Sequence, residues 1–328
     1  MHPRDYQPEK GASYRKIGIE EKESFGYKKS SITEHECRER RVRMKNLTAI
    51  YWIKNEGPYL AEYIEFHLLQ GFDYFIFYDN GSTDNTMDVL EPYIKENLVE
   101  VRTYPTDLQD SKNYWLMTRC IDEQKNKSQW VHFHAIDERI YCPDGRKIPE
   151  LLRDYEEYGG LCVAWREFNS NGHIKKPEGL IIENYTAFFN DSKQHIKTII
   201  QPLKTQGRRP PNPHCFYYDK NFAVDENKKR VDGSFNLRNP YTFELIKNHH
   251  YRTMSREEFE DKSNKGILDQ AHQENIPRGS QDTLERAWNK YSKTAGQDVS
   301  MEKFVVPVRN AVKKRYSNNL DLLKTINH

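Results

Sequence analysis

"LTAIYWIKNEGPYLAEYIEFHLLQGFDYFIFYDNGSTDNT", residues 47–86, decides the fold. Residues 47–53 form a short apolar run closed by the polar Lys54-Asn55-Glu56, which suits a buried strand. A helix follows, with Pro58 at its start, Gly71 at its end, and Leu60, Tyr63, Ile64, His67 and Leu68 on one face. Residues 73–79 read as a second strand, and Asn80-Gly81-Ser82-Thr83-Asp84 as the turn that ends it.

Outward from this unit the alternation continues. Residues 86–97 suit a helix despite Pro92, 98–104 a third strand, about 110–126 a helix, and 130–136 a fourth strand. Strand and helix in strict alternation predict an α/β fold: a single Rossmann-like domain with a mostly parallel central sheet and helices on both faces. The second half is less regular. Residues 159–168 read as a strand and 195–202 as a shorter apolar segment, while the prolines at 210, 211 and 213 exclude helix and central strand from 207–214. A helical ending is predicted from about 255, with Ser255 as cap, Glu258 in the capping-box position and Gly266 as stop. Residues 1–45 are polar and aperiodic, so they read as an N-terminal extension, and 46–328 as the domain.

Lys and Arg number 51 against 49 Asp and Glu, a formal net charge of +2, which gives no electrostatic case for nucleic acid. No apolar run approaches the ~20 residues that span a bilayer, and the first residues carry no apolar leader. Five scattered cysteines without a C-x-x-C pair argue against a disulfide framework or a zinc knuckle. The compartment expected from these features is the cytoplasm.

Ligands of an open parallel sheet bind beyond the carboxyl ends of its strands. Three polar loops should gather there: Lys54-Asn55-Glu56, the loop from Asp79 to Asp84, and Asp137-Glu138. A helix-capping turn accounts for the second loop from Gly81 onward, but Asp79 and Asn80 precede the cap, and Asp79 could accept from a base or ribose. Neither G-x-G-x-x-G nor G-x-x-x-x-G-K-[ST] occurs. His132 and His134 alternate on one strand, and a packed pair is the expectation over a histidine-rich metal site. His67, on an apolar helix face, reads as a hydrogen-bonded core residue.

The stretch 54–86 resembles the opening of glycosyltransferases with the A-type nucleotide-sugar fold, nearest to family 92 and adjacent to family 2. "WVHFHAIDERI" is similar to that family's tryptophan-led strand and Asp-x-Asp-Glu-Phe; "AWREFNSNGH" to its Trp-x-x-Phe-Gly-Ser-x-Gly; "HIKTIIQP" to its His-x-Lys-x-Ile-x-x-Pro; and "NHHYRTMSREEFEDKSNKG" to its Asn-His-Tyr ending. Order and spacing agree over about 47–266. The resemblance divides the domain into a nucleotide-sugar half (about 46–140), an acceptor half (about 141–266) and a helical C-terminus (about 267–328).

It also assigns roles. Asn55 and Glu56 would line the nucleotide pocket, Asp79 with Asn80 would meet the base, and Asp137 and His250 would hold Mn²⁺ or Mg²⁺, a set suited to such a cation. Ala135 stands where the first Asp is expected, Arg139 where Phe is, and Met254 where Lys is. Arg139 could pair with the diphosphate or be a plain surface charge. An inverting transfer needs a base, for which Glu167 ranks first, with Glu183 and Asp225 as alternatives. The implied function is metal-dependent transfer of a sugar from a nucleotide diphosphate donor, a UDP-sugar foremost, to a hydroxyl of a glycan or glycoconjugate. Two rivals stand: a catalytically silent member that binds a nucleotide sugar or glycan, supported by Ala135, and a nucleotidyltransferase, against which the missing glycine-rich basic loop counts.

Overall fold

The computed structural model describes residues 44–104, 112–190, 194–209, 214–235, 241–264 and 281–326. The N-terminal extension, apart from its last two residues, and the expected stop at Gly266 lie outside them. Strands β1 (Lys45–Ile53), β2 (Tyr74–Asp79), β3 (Val99–Thr103) and β4 (Ser128–Phe133) alternate with helices α1 (Gly57–Leu69), α2 (Thr86–Lys95) and α3 (Lys112–Gln124). The strands lie in the order β3-β2-β1-β4, all parallel, so the chain reverses its direction of winding beside β1. Such a switch point opens a crevice at the carboxyl ends of the two strands that flank it, here β1 and β4.

Period-two alternation supplies both faces of this sheet. Leu47, Ala49, Phe75 and Phe77 pack with Leu60, Ile64, Leu90 and Tyr93 of α1 and α2. Ile50, Trp52, Ile76 and Tyr78 pack with Leu116, Met117 and Ile121 of α3 on the other side. Helices therefore cover both faces of the parallel half.

The remaining chain adds β5 (Glu138–Tyr141), α4 (Ile148–Leu152), β6 (Gly160–Phe168), α5 (Ile181–Asn184), β7 (Ala187–Phe189), β8 (Ile196–Ile200), β9 (Thr205–Arg208), β10 (Phe216–Tyr218), β11 (Ala223–Val224) and β12 (Arg230–Val231). It closes with β13 (Lys247–Tyr251), α6 (Arg256–Asn264), α7 (Gln281–Tyr291), β14 (Gly296–Gln297), α8 (Glu302–Arg315) and α9 (Leu320–Thr325). β8 enters between β4 and β6, antiparallel to both, and so extends the predicted parallel core with an antiparallel member. β6 pairs along its length with successive strands: Gly160 to Ala164 with β8 and Trp165 to Phe168 with β13, while β11 and β7 pair with it at its two ends. No described helix is long and apolar enough to cross a membrane, and the four described cysteines form no disulfide with one another.

Two boundaries differ from expectation. β4 stops at Phe133, and the Ala135 carbonyl accepts from the Glu138 amide at 3.1 Å, so Asp137 sits in a turn and not at an extended strand end. Helix α1 is buried well beyond its apolar face, with Glu62 and Glu65 also inside. A second helix, α8, covers that other side, and Arg315 pairs with Glu65 at 3.0 Å. The predicted caps hold at α6: the Ser255 amide donates to Glu258 Oε2 at 3.1 Å, and the Glu258 amide donates to Ser255 Oγ at 3.2 Å.

Candidate active site

The site is laid out by strand register. β13 pairs His250 with Glu138 of β5 on one side and with Glu167 of β6 on the other. Directly opposed residues project their side chains to the same face, so three neighbouring strands align two carboxylates and an imidazole in one row. The turn before β5 adds Asp137, whose carbonyl accepts from the Tyr251 amide at 2.8 Å and is thereby fixed against β13.

Asp137 Oδ2 lies 3.4 Å from His250 Nε2 and also accepts from the Lys262 ammonium of α6. The other imidazole nitrogen lies 2.8 Å from Glu167 Oε2. Glu167 in turn takes Arg252 in a two-pronged pairing, at 2.6 and 3.1 Å. Burial would weaken every charge here, but the opposite charges win. Burial alone would raise the Asp137 carboxyl, yet Lys262 and His250 hold it well below the usual range. Glu167 is brought to about 2 by His250 and Arg252 against the same opposition. His250, which burial would lower, is raised to about 9 by Glu167 and Asp137. Glu138 goes the other way: its burial raises it despite Lys197 at 3.3 Å.

Asp137, Glu138 and His250 form part of the wall of a cleft of about 1110 Å³ that also takes in Asn55, Glu56, Ala135, Trp165, Lys197 and Lys262. The strand-end loops on the β1 side are tied to one another. Asn55, at a positive φ of 53°, accepts from the Thr83 amide at 2.7 Å, and the Gly57 amide donates to Asp84 at 3.1 Å. A Cβ at Gly57 would stand 2.0 Å from Asn85 Oδ1, so a side chain there would displace that of Asn85. Asp137, Glu138 and His250 each offer a donor atom within 4.8 Å of the others. Carboxylate oxygens with one imidazole fit Mn²⁺ or Mg²⁺. Glu138, 1% exposed, already pairs with Lys197 and accepts from the side-chain NH₂ of Asn248 at 3.0 Å, so Asp137 and His250 are the candidate ligands.

Several expected site residues stand elsewhere. Arg139 is fully buried: it donates to Glu62 at 3.0 and 3.2 Å and to the carbonyls of Ile136 and Glu138, so it does not face a diphosphate in the cleft, nor is it a surface charge. Glu167 is 1% exposed and committed to His250 and Arg252, an arrangement that fixes a neighbour and does not present a base. Glu183 caps α5 by accepting from the Leu180 amide at 3.4 Å and pairs with Arg309. Asp225, 1% exposed, accepts from the amides of Asn227 and Lys229 and shapes a turn. None of these three lines the cleft. Asp79 accepts from the Ser82 hydroxyl at 2.6 Å and amide at 3.1 Å, and neither it nor Asn80 lines the cleft; Asn55 and Glu56 do.

The family 92 glycosyltransferase model matches residues 47–275, which covers both ladders, the turn at Asp137 and α6. The chain belongs to glycosyltransferase family 92. A family 92 protein of Oryza sativa subsp. japonica is 25% identical over 183 residues, covering 55% of this chain and 30% of the relative. One of Arabidopsis thaliana is 25% identical over 207 residues, covering 58% and 32%. The chain thus spans about a third of the length of these curated relatives. Among solved structures, Staphylococcus aureus TarS 1-349 in complex with UDP-GlcNAc is 12% identical with a TM-score of 0.31, over 86% of this chain and 81% of that one. Mycobacterium tuberculosis glucosyl-3-phosphoglycerate synthase in complex with Mn²⁺, UDP and its product is 15% identical with a TM-score of 0.24, over 47% and 54%.

Four residues of this family 92 chain belong to the site without having been singled out from sequence. Lys262 meets Asp137, Lys197 meets Glu138, Arg252 meets Glu167, and the Trp165 ring lies 4.3 Å from that of His250. Each lies inside a stretch that carries the family resemblance, and that was the available signal.

Proposed function

We propose that this chain transfers a sugar from a nucleotide diphosphate donor, a UDP-sugar foremost, to a hydroxyl group of a glycan or glycoconjugate. The observation that carries this reading is the approach of Asp137 to His250, 3.4 Å apart, beside the crevice at the carboxyl ends of β1 and β4. Asn55 and Glu56 would border the nucleoside end, and Asp137 with His250 would hold the divalent cation at the diphosphate. Such a cation, when bound, neutralises charge on the departing diphosphate. Lys262 and Arg252, both lining the cleft, place further positive charge where phosphate oxygens would lie.

Asp137 meets His250 at Nε2 and Glu167 meets it at Nδ1, which favours one imidazole orientation. A base for an inverting transfer would be sought among the other carboxylates that line the cleft with some solvent access, Glu56, Asp84, Glu257 and Asp261. Ala135 favours a second reading, a protein that binds a nucleotide sugar without turning it over, because it leaves the cleft one carboxylate short at that point.

The test is a screen of UDP- and GDP-sugars for thermal stabilisation with and without Mn²⁺, since a ligand of the native state raises the melting temperature. Asp137→Ala should remove the Mn²⁺-dependent part. Equal metal dependence in that variant would reject the assignment. Donor hydrolysis or transfer by the wild type would separate the enzyme from the silent binder.

A further inference from the structure

The Asp137 carboxylate does not wait free for a cation. Lys262, projecting from α6, donates to its Oδ2 and reaches the Arg252 carbonyl at 3.4 Å. The same Oδ2 is the atom that lies 3.4 Å from His250 Nε2. A divalent cation ligated by Asp137 and His250 would sit ~2.0–2.6 Å from its ligand atoms, in the space between them that the ammonium borders. Two positive centres cannot share that oxygen at contact distance without strong repulsion. Cation entry and the Lys262 pairing therefore exclude each other.

The three neighbouring cations are not equivalent. Arg252 is locked by its paired bonds to Glu167, and Lys197, with its side chain 9% exposed, is held by Glu138 and the Phe133 carbonyl. The Lys262 side chain is 29% exposed and lines the cleft. Its helix is anchored separately, by the Ser255–Glu258 capping box and by the hydroxyl of Tyr59 donating to Glu258 at 2.9 Å. The ammonium can thus swing on its flexible stem while α6 stays in place.

Resting on the reading of Asp137 and His250 as the cation's ligands, we propose that Lys262 is an internal counter-ion that competes with the divalent cation for Asp137, and that a nucleoside diphosphate releases it. Diphosphate oxygens in the cleft draw the ammonium off the carboxylate, and the freed oxygen then takes the cation. Nucleotide and cation accordingly bind with positive coupling, beyond what the diphosphate's own chelation supplies. Without nucleotide the site holds divalent cations weakly.

The experiment measures Mn²⁺ affinity of the full chain by electron paramagnetic resonance of free Mn²⁺, with and without UDP. It compares wild type, Lys262→Met, Lys262→Gln and Asp137→Asn, each checked for an intact thermal transition. Two Lys262 variants are used because Met keeps the stem's packing and Gln keeps a polar tip. Without nucleotide, both should bind Mn²⁺ about tenfold or more tightly than wild type, a difference of ~1.4 kcal/mol. The factor by which UDP improves Mn²⁺ binding should shrink correspondingly in both, and by linkage Mn²⁺ should improve UDP binding by the same smaller factor. Unchanged or weaker Mn²⁺ binding in both Lys262 variants, with wild-type binding lost in Asp137→Asn, overturns the counter-ion. Wild-type Mn²⁺ affinity in Asp137→Asn instead overturns the metal assignment on which it rests.

Discussion

Glu167 and His250 are cross-strand partners in a parallel ladder, and Glu167 Oε2 stands 2.8 Å from His250 Nδ1. Together with Arg252, which donates to both of its oxygens, this makes Glu167 a positioning residue for the imidazole that faces Asp137. The difference from a catalytic base is measurable. Glu167→Gln should lower the His250 pKa from about 9 toward its ordinary ~6.5, because one of the two carboxylates that raise it is gone. An NMR titration of the metal-free protein reads this directly. Turnover in Glu167→Gln should fall by about tenfold or less, whereas loss of a general base costs ~10²–10⁴-fold.

Arg139 and Glu62 form a buried ion pair, with exposures of 0% and 1%. Arg139→Ala leaves that carboxylate uncompensated, although the amides of Ile181 and Ile182 still donate to it. The expected cost is about 3–5 kcal/mol of stability, read as a lower urea midpoint at unchanged slope. Nucleotide affinity in the folded fraction should stay within about threefold of wild type. A large loss of affinity with stability intact would restore Arg139 to the diphosphate.

Neutral histidines in the core set an acid limit, and two of them show it. His67 and His132 are fully buried, and burial holds both well below their ordinary pKa, with Arg139 adding to the effect on His67 and Lys197 on His132. Unfolded, each titrates near ~6.5. Below that pH the unfolded chain takes up protons that the folded one refuses, so stability is full above ~6.5 and falls as pH falls. The slope from the pair is about 2.7 kcal/mol per pH unit. Urea unfolding at pH 7.5, 6.5 and 5.5 should show a steepening loss. His132→Phe, which keeps the ring stacked on His134, should flatten it.

Ala135 lines the cleft beside Asp137, in a turn and not on an extended strand. A carboxylate there would add a hydrogen-bond acceptor for a ribose or a metal-bound water. Ala135→Asp should tighten Mn²⁺-dependent UDP-sugar binding by about tenfold or more, as expected for a bond of ~1.5–3 kcal/mol to a charged group. Side-by-side affinities with and without Mn²⁺ decide it. No metal-dependent gain means that Ala135 does not mark a missing ligand.

The sequence by itself determined the parallel half of the sheet, because period-two alternation on β1 and β2 and the helix between them, with Pro58 in its first turn and Gly71 beyond its end, are local properties of residues 47–86. It also determined the α6 capping box, which needs only Ser255 and Glu258 at the right spacing. The proposed metal ligands were suggested by motif resemblance, and the fold brings Asp137 and His250 together across 113 positions of chain. What only the tertiary structure decided is the charge state and freedom of each group. Whether a carboxylate or guanidinium is available depends on its partner, and the partners of Glu167, Arg139 and Asp137 come from strands and helices 77 to 125 residues away. The antiparallel β8, the double duty of β6 and the reach of Lys262 to Asp137 follow from long-range pairing that no local pattern encodes.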